Sequence, residues 1–213
     1  MTWNRDITGV DDAKKGTYRS LNGAADENIF IGRASKAGFY CFFKVWRDMQ
    51  YDAVLDYEGT LYRVEVKGSS NSKINVTRGT RSGKQIKKGS SRTRVLSRDD
   101  CDFVVGVDSN NGDCYIIPED VIHIIGRQEL SYKTLSNYKE KWKLLMYSKN
   151  QLTKEQTRDG LLGMSQVGIT RLATSLGITI PADPIKIPGT RSDITDTKDK
   201  AVYMIWETIA KQL

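Results

Sequence analysis

Two apolar-rich runs, residues 51–57 and 61–67, meet at Glu58-Gly59, and this pattern constrains the fold more than any other stretch of the chain. Alternating side chains on either side of a two-residue turn predict a β-hairpin. Residues two apart along a strand share a face. Glu65 and Lys67 therefore point one way, and Val64 and Val66 the other. Asp52 opens the first strand, and pairing of the hairpin returns it alongside Glu65 and Lys67. Two carboxylates and one ammonium then converge at one end of a sheet. Such a set suits the holding of a divalent cation and phosphodiester hydrolysis.

The excess charge is as localised as the hairpin. The formal net charge is +7, and residues 68–98 hold nine basic and no acidic residues, while the rest of the chain carries 24 basic and 26 acidic ones. Gly79, Gly83, Gly89 and several serines give the segment the composition of a solvated loop. A run of like charges repels itself unless an anion is near. Nucleic acid is the expected anion, since each Lys or Arg can neutralise a phosphate. The candidate contacts are Lys73, Arg78, Arg81, Lys84, Lys87, Lys88, Arg92 and Arg94, with the loop of residues 79–91 at their centre.

Composition excludes several other chemistries. His123 is the single histidine, so one chain cannot build a two-histidine metal box or a histidine acid–base pair. It lies in the apolar run of residues 121–125 and is expected to be structural, in a strand or at its end. Cys41, Cys101 and Cys114 are scattered without Cys-x-x-Cys spacing, which argues for a reducing compartment and against zinc or a disulfide scaffold. No apolar run approaches the ~20 residues of a membrane span. The polar start of the chain lacks a signal peptide's apolar core, so the expected localisation is cytoplasmic, in a prokaryotic or phage-like context.

Three parts are expected along the chain: an N-terminal arm of residues 1–21, a core of residues 22–148 containing the basic loop, and a helical C-terminal region of residues 149–213. A helical stripe of Ala25, Ile29, Phe30, Ala34 and Ala37, stopped by Gly38, places Glu27 on a helix. Residues 39–46 are aromatic-rich and read as a strand. Residues 72–78 alternate as one further strand, and residues 92–98 suit a short helix. Strands are expected over residues 102–107 and 114–118, with a turn or short helix starting at Pro118-Glu119-Asp120. Leu135, Tyr138, Trp142, Leu145 and Met146 have helical spacing. Residues 152–180 are helical in pattern. The run from Leu172 to Ile178 could open a helix-turn-helix, but Pro181, Pro184 and Pro188 bar a recognition helix after it, so a packing helix ended by Gly177 is expected. A last amphipathic helix spans residues 198–212.

The order of a helix bearing Glu27, a strand, a strand opened by Asp52, a strand carrying Glu65 and Lys67, and a further strand pair resembles the PD-(D/E)XK nuclease superfamily. Within it the pattern looks most like the resolvase-like and intron-associated homing endonuclease branch, with restriction endonucleases as further relatives. The resemblance covers about residues 22–120. Tyr51 stands where the family's motif has Pro, and residues 68–101 show no long crossover helix. The resemblance implies an α/β fold: a central mixed β-sheet flanked by helices, with a restriction-endonuclease-like core and a small helical C-terminal region. It implies a Mg²⁺-dependent endonuclease, with Mn²⁺ substituting, that cuts duplex DNA at specific sites as a homing or restriction enzyme. A Holliday-junction resolvase or repair nuclease shares the same core, and a non-catalytic nucleic-acid-binding protein is the alternative from another class. Asp52, Glu65 and the Val66 carbonyl would ligate metal, Lys67 would orient or deprotonate the attacking water, and Glu27 would be an accessory ligand through water. Cutting both strands of double-stranded DNA needs two sites, so a homodimer or higher symmetric oligomer is expected.

Overall fold

The computed structural model describes residues 15–44, 49–78, 94–149, 161–188, 190 and 193–212. The expected DNA-contacting loop of residues 79–91, with Arg81, Lys84, Lys87, Lys88 and Arg92, and the expected helical residues 152–160 lie outside them.

Five strands form the central sheet: β1 (Tyr40–Phe43), β2 (Ala53–Tyr57), β3 (Thr60–Ser69), β7 (Phe103–Asp108) and β8 (Cys114–Pro118), in the order β1-β2-β3-β7-β8. The β3–β7 pair is parallel and the other three are antiparallel, so the sheet is mixed. The expected α/β core is therefore present. The hairpin of β2 and β3 turns at Glu58 and Gly59, both with positive φ, as a tight two-residue hairpin loop requires. The Gly59 N–H donates to Asp56 Oδ1 at 2.9 Å and closes the turn. Along β3, Tyr62, Val64 and Val66 are buried while Arg63, Glu65 and Lys67 are half-buried, the expected period of two. β7 is buried along its first five residues, as a strand covered on both faces must be.

Helix α1 (Lys15–Lys36) crosses β3, and its inward stripe is Asp26, Phe30 and Ala34 at four-residue spacing. Two expectations are corrected here. The helix reaches back to Lys15, into the expected N-terminal arm. Ala25 is exposed, and Asp26 takes the inward position instead, because Gly68 has no side chain to keep the helix away. Phe30 and Phe39 pack on Trp142, with centroids 6.1 and 6.4 Å apart.

The crossover from β3 to β7 contains, among the described residues, three short strands: β4 (Lys73–Asn75), β5 (Thr77–Arg78) and β6 (Arg94–Val95). The expected single strand of residues 72–78 is thus broken at Val76, whose fully buried side chain is tied down by backbone bonds to Gln128 and Leu96. Arg94 and Val95 pair with β5 rather than forming part of a helix. β4 pairs instead with β9 (Glu129–Ser131).

Helix α2 (Glu119–Ile125) starts where expected, at Pro118, but it includes the run read as a strand around His123. His123 is an exposed helical residue there, because Val121, Ile122 and Ile125 take the inward positions. Residues 134–147 form 3₁₀ turns, Ser136–Tyr138 and Trp142–Lys149, rather than one α-helix. Helix α3 (Gln166–Ser175) is capped by the Ser165 hydroxyl, which accepts from Gly168 N–H at 3.2 Å, and the chain then turns at Gly177 with φ of 72°. Helix α4 (Thr197–Gln212) buries Ala201, Val202, Ile205, Trp206 and Ile209 as its pattern requires. Trp206 packs edge-on against Phe103 of the central sheet and donates its indole N–H to Asp120 Oδ2 at 3.2 Å. All three cysteines are free. No described helix is long and apolar enough to cross a membrane.

Candidate active site

Asp52 stands just ahead of β2, where the ladder is irregular. Ala53 opposes Val64 in register, yet the Asp52 N–H also donates to the Val64 carbonyl, at 2.9 Å. The Asp52 carbonyl meanwhile accepts from the Lys44 N–H at 3.2 Å. Two residues of one strand thus face one of the other, the geometry of a β-bulge, which re-aims a side chain. The Asp52 carboxylate is turned onto β3, where Oδ2 accepts from the Val66 N–H at 2.9 Å. In an extended strand a residue's N–H and C=O point to the same edge. The Val66 carbonyl is therefore directed toward Asp52 as well.

Glu65 and Lys67 share the face expected of them, and Lys67 Nζ lies 2.5 Å from Glu65 Oε1. Glu27 comes from α1, and its Oε1 lies 3.7 Å from Lys44 Nζ. Lys44 itself is hydrogen-bonded to Asp52 Oδ1. The structure therefore brings together all four predicted residues, Glu27, Asp52, Glu65 and Lys67. It adds Lys44, which sequence reasoning missed: a lysine at the end of an aromatic strand carries no motif, and only the β1–β2 register brings it to Asp52.

Three carboxylates and two ammonium groups face one another here. Burial pushes the Glu65 carboxyl up from its ordinary value; Asp52 adds to this, and Lys67 and Lys44 oppose it. Burial and then the Asp52 charge push Glu27 up in the same way, against Lys44 and Lys67. Burial lowers the Lys44 ammonium, but its bond to Asp52 and the charges of Asp52, Glu27 and Glu65 outweigh this and raise it. The carboxylates thus repel one another and are held together by lysines. Among the described residues no three Asp, Glu, His or Cys side chains are gathered closely enough to hold a metal unaided. Two carboxylates and a carbonyl still fit Mg²⁺, which keeps several waters and needs only one or two protein carboxylates.

The predicted nucleic-acid residues separate. Lys73 is exposed on β4. Arg94 instead grips the buried Asp100 with two bonds of 2.5 and 2.7 Å, and Arg78 reaches the same carboxylate at 3.1 Å. Arg78 also donates to the Gln50 carbonyl at 3.0 Å, two residues before Asp52. Both arginines therefore tie the base of the basic segment to Asp100, and Arg78 alone links it to the stretch before Asp52. Nothing in the sequence pattern singles out Asp100 as their counter-charge. Arg63 is a further anchor, donating from Nε and Nη2 to Asp102 at 3.2 and 2.7 Å.

A sequence pattern described as PD-(D/E)XK endonuclease matches residues 19–156, more than half of the chain. The chain belongs to the PD-(D/E)XK endonuclease family. Its match spans the helix with Glu27, the hairpin with Asp52, Glu65 and Lys67, and the β7–β8 pair. Among solved structures, a bacterial homing endonuclease is similar, with a TM-score of 0.51 and 23% identity over 61% of this chain and 93% of that one. At this identity the likeness shows the fold alone, a restriction-endonuclease-like arrangement. No curated protein matches the chain at a significant level.

Proposed function

We propose that this PD-(D/E)XK endonuclease is a Mg²⁺-dependent enzyme, with Mn²⁺ able to substitute, that cuts duplex DNA at specific sites. The observation that carries the reading is the Asp52 carboxylate hydrogen-bonded to the Val66 N–H, beside the Glu65–Lys67 pair. Asp52, Glu65 and the Val66 carbonyl would hold the ion. When bound, it polarises the scissile phosphate and activates a water. Lys67 is placed to orient that water or take its proton, and to offset charge developing on the phosphate. Glu27 closes the site from the α1 side and would act through a water.

The likeness to a homing endonuclease supports the site-specific reading. A Holliday-junction resolvase or repair nuclease remains the alternative, since the same catalytic residues serve it.

DNA contact is assigned to the basic segment and to the β4–β9 ribbon. The Ile74 side chain lies where a Cβ on Gly106 would meet it, 3.0 Å away. Gly106 is the register partner of Lys67, so the ribbon stands on the lysine's side of the sheet. Ile74 and Leu130 face inward as a cross-strand pair, which turns Lys73, Asn75 and Glu129 outward. A two-stranded ribbon of this kind fits a DNA major groove, and Lys and Asn are base-reading side chains.

A homodimer or higher symmetric oligomer would supply the second site for double-strand cutting. A second copy has an apolar surface to use. Tyr40 and Leu61 both oppose Asp56, with Phe42 two residues along, and the three are 72, 59 and 54% exposed. At roughly 100–150 Å² each they offer up to about half of the ~800 Å² that a standard interface takes from each partner.

The test is alanine substitution at Asp52 or Lys67 in the purified protein. Cleavage should be lost with DNA binding nearly intact. Retained cleavage by either variant refutes the assignment.

A further inference from the structure

The geometry points to Lys44 as a built-in counter-ion that occupies the cation position of the site and must leave it before a metal ion can bind. This rests on the metal-dependent reading above and concerns how the site is loaded. Asp52 has two carboxylate oxygens, and Oδ2 is committed to the Val66 N–H at 2.9 Å. Oδ1 is the oxygen left to meet a cation, and the Lys44 ammonium holds it. The same ammonium lies 3.7 Å from Glu27 Oε1, so it bridges the helix carboxylate and the strand carboxylate. Lys67 is paired with Glu65 Oε1, on its own strand.

Charge balance gives the same answer. With all five groups ionised, Glu27, Asp52 and Glu65 carry three negative charges and Lys44 and Lys67 two positive ones, leaving the site with one negative charge in excess. A divalent ion added to all five groups would leave it one positive charge in excess. With Lys44 swung outward, the ion leaves Glu27, Asp52, Glu65 and Lys67 balanced. Lys44 has the means to move: its four-carbon stem is flexible, its side chain is 20% exposed, and it follows directly on the edge strand β1. An ammonium group that is replaced in this way keeps the two carboxylates paired in the empty enzyme and sets the metal concentration at which the site fills.

Calcium binding by calorimetry, without DNA, tests this on the intact protein. Removing a competing cation should tighten binding, so Lys44→Met should bind Ca²⁺ about tenfold more tightly than wild type, the equivalent of ~1.4 kcal/mol. Lys44→Arg, which keeps the charge, should bind no more tightly than wild type. Unchanged or weaker binding by Lys44→Met overturns the proposal. Should that variant not fold, the wild-type protein with its lysines ¹³C-dimethylated supplies a second reading. The Lys44 resonance, assigned by its loss in Lys44→Arg, should move to the position of solvent-exposed lysines as Ca²⁺ is added, and a stationary resonance overturns the proposal. A wild-type protein that binds no divalent ion would instead refute the metal-dependent reading itself.

Discussion

Gly68 directly follows Lys67 and lies against Asp26 of α1, so Gly68→Ala perturbs the packing that positions Glu27. A Cβ at Gly68 would stand 1.7 Å from Asp26 Oδ2, 2.1 Å from Cγ and 2.6 Å from Cβ. Rotating the Asp26 carboxylate clears the first two contacts but not the third, which is fixed by the helix backbone. The helix must therefore move. Alanine fits an ordinary strand conformation and by itself would add about 0.4–1 kcal/mol by restricting the unfolded chain. Overpacking costs about 1–3 kcal/mol and occasionally more. We expect a net loss of about 1–2 kcal/mol, which at a urea m-value near 2 kcal/mol/M lowers the midpoint by about 0.5–1 M. Glu27 is the next residue on the same helix, so its approach to Lys44 should loosen and cleavage should fall as well. Asp26→Gly removes all three clashing atoms for about 0.3 kcal/mol of helix propensity, since Asp is already a weak helix former. The double variant should therefore be more stable than the sum of the single effects by about 1 kcal/mol or more. A Gly68→Ala protein as stable as wild type, or strictly additive effects, would refute the close-packing argument.

Further predictions concern the buried carboxyls of Asp100 and Glu119 and the charges of the basic loop. Burial raises the Asp100 carboxyl, but bonds from Arg94 and Ser97 outweigh it and hold it below its ordinary value. Its stabilisation is whole above the unfolded carboxylate value of ~3.9 and is lost as pH falls below it. Asp100→Asn should cost about 2–3 kcal/mol in denaturant unfolding at pH 7, less than the ~3–5 of a fully buried pair because Arg94 is half exposed. Glu119 behaves oppositely: burial, with Asp120 beside it, pushes its carboxyl up to about 7, while Arg98 pulls it back. The folded state then holds a proton that the unfolded state has released. Stability should decline by roughly 3 kcal/mol as pH rises from ~4 to 7, and Glu119→Gln should flatten that limb of the pH–stability curve. Neutralising Lys84, Lys87 and Lys88 together should reduce the slope of log K against log salt by about 2–3 in a DNA-binding titration. An unchanged slope would remove the loop from the DNA interface.

The hairpin was legible in the sequence because its alternation, its turn and its buried face all agree, and with it came Asp52, Glu65 and Lys67. Glu27 was legible through its helix, although the inward stripe is offset by one residue for a reason visible only in three dimensions, the gap at Gly68. The run around His123 was misread because a short apolar stretch has no period that separates a buried strand from a buried helix. Residues 134–147 show helical spacing yet form 3₁₀ turns, and here spacing could not reveal the hydrogen-bond pattern. Lys44 and Asp100 were missed for a common reason. Each acquires its role from a partner brought near by the fold, Asp52 through strand register and Arg78 across the crossover. Charge counting saw nine uncompensated cations, whereas two of them share one buried carboxylate.

The most direct test of the central claim is incubation of the purified protein with supercoiled plasmid and with a four-way junction, with Mg²⁺ or with EDTA, beside Lys67→Ala. The account predicts cutting in Mg²⁺ that is absent in EDTA and in the Lys67→Ala protein. Cutting that persists in EDTA or in Lys67→Ala would contradict it, as would DNA binding equal in EDTA and Mg²⁺ with no cleavage of either substrate.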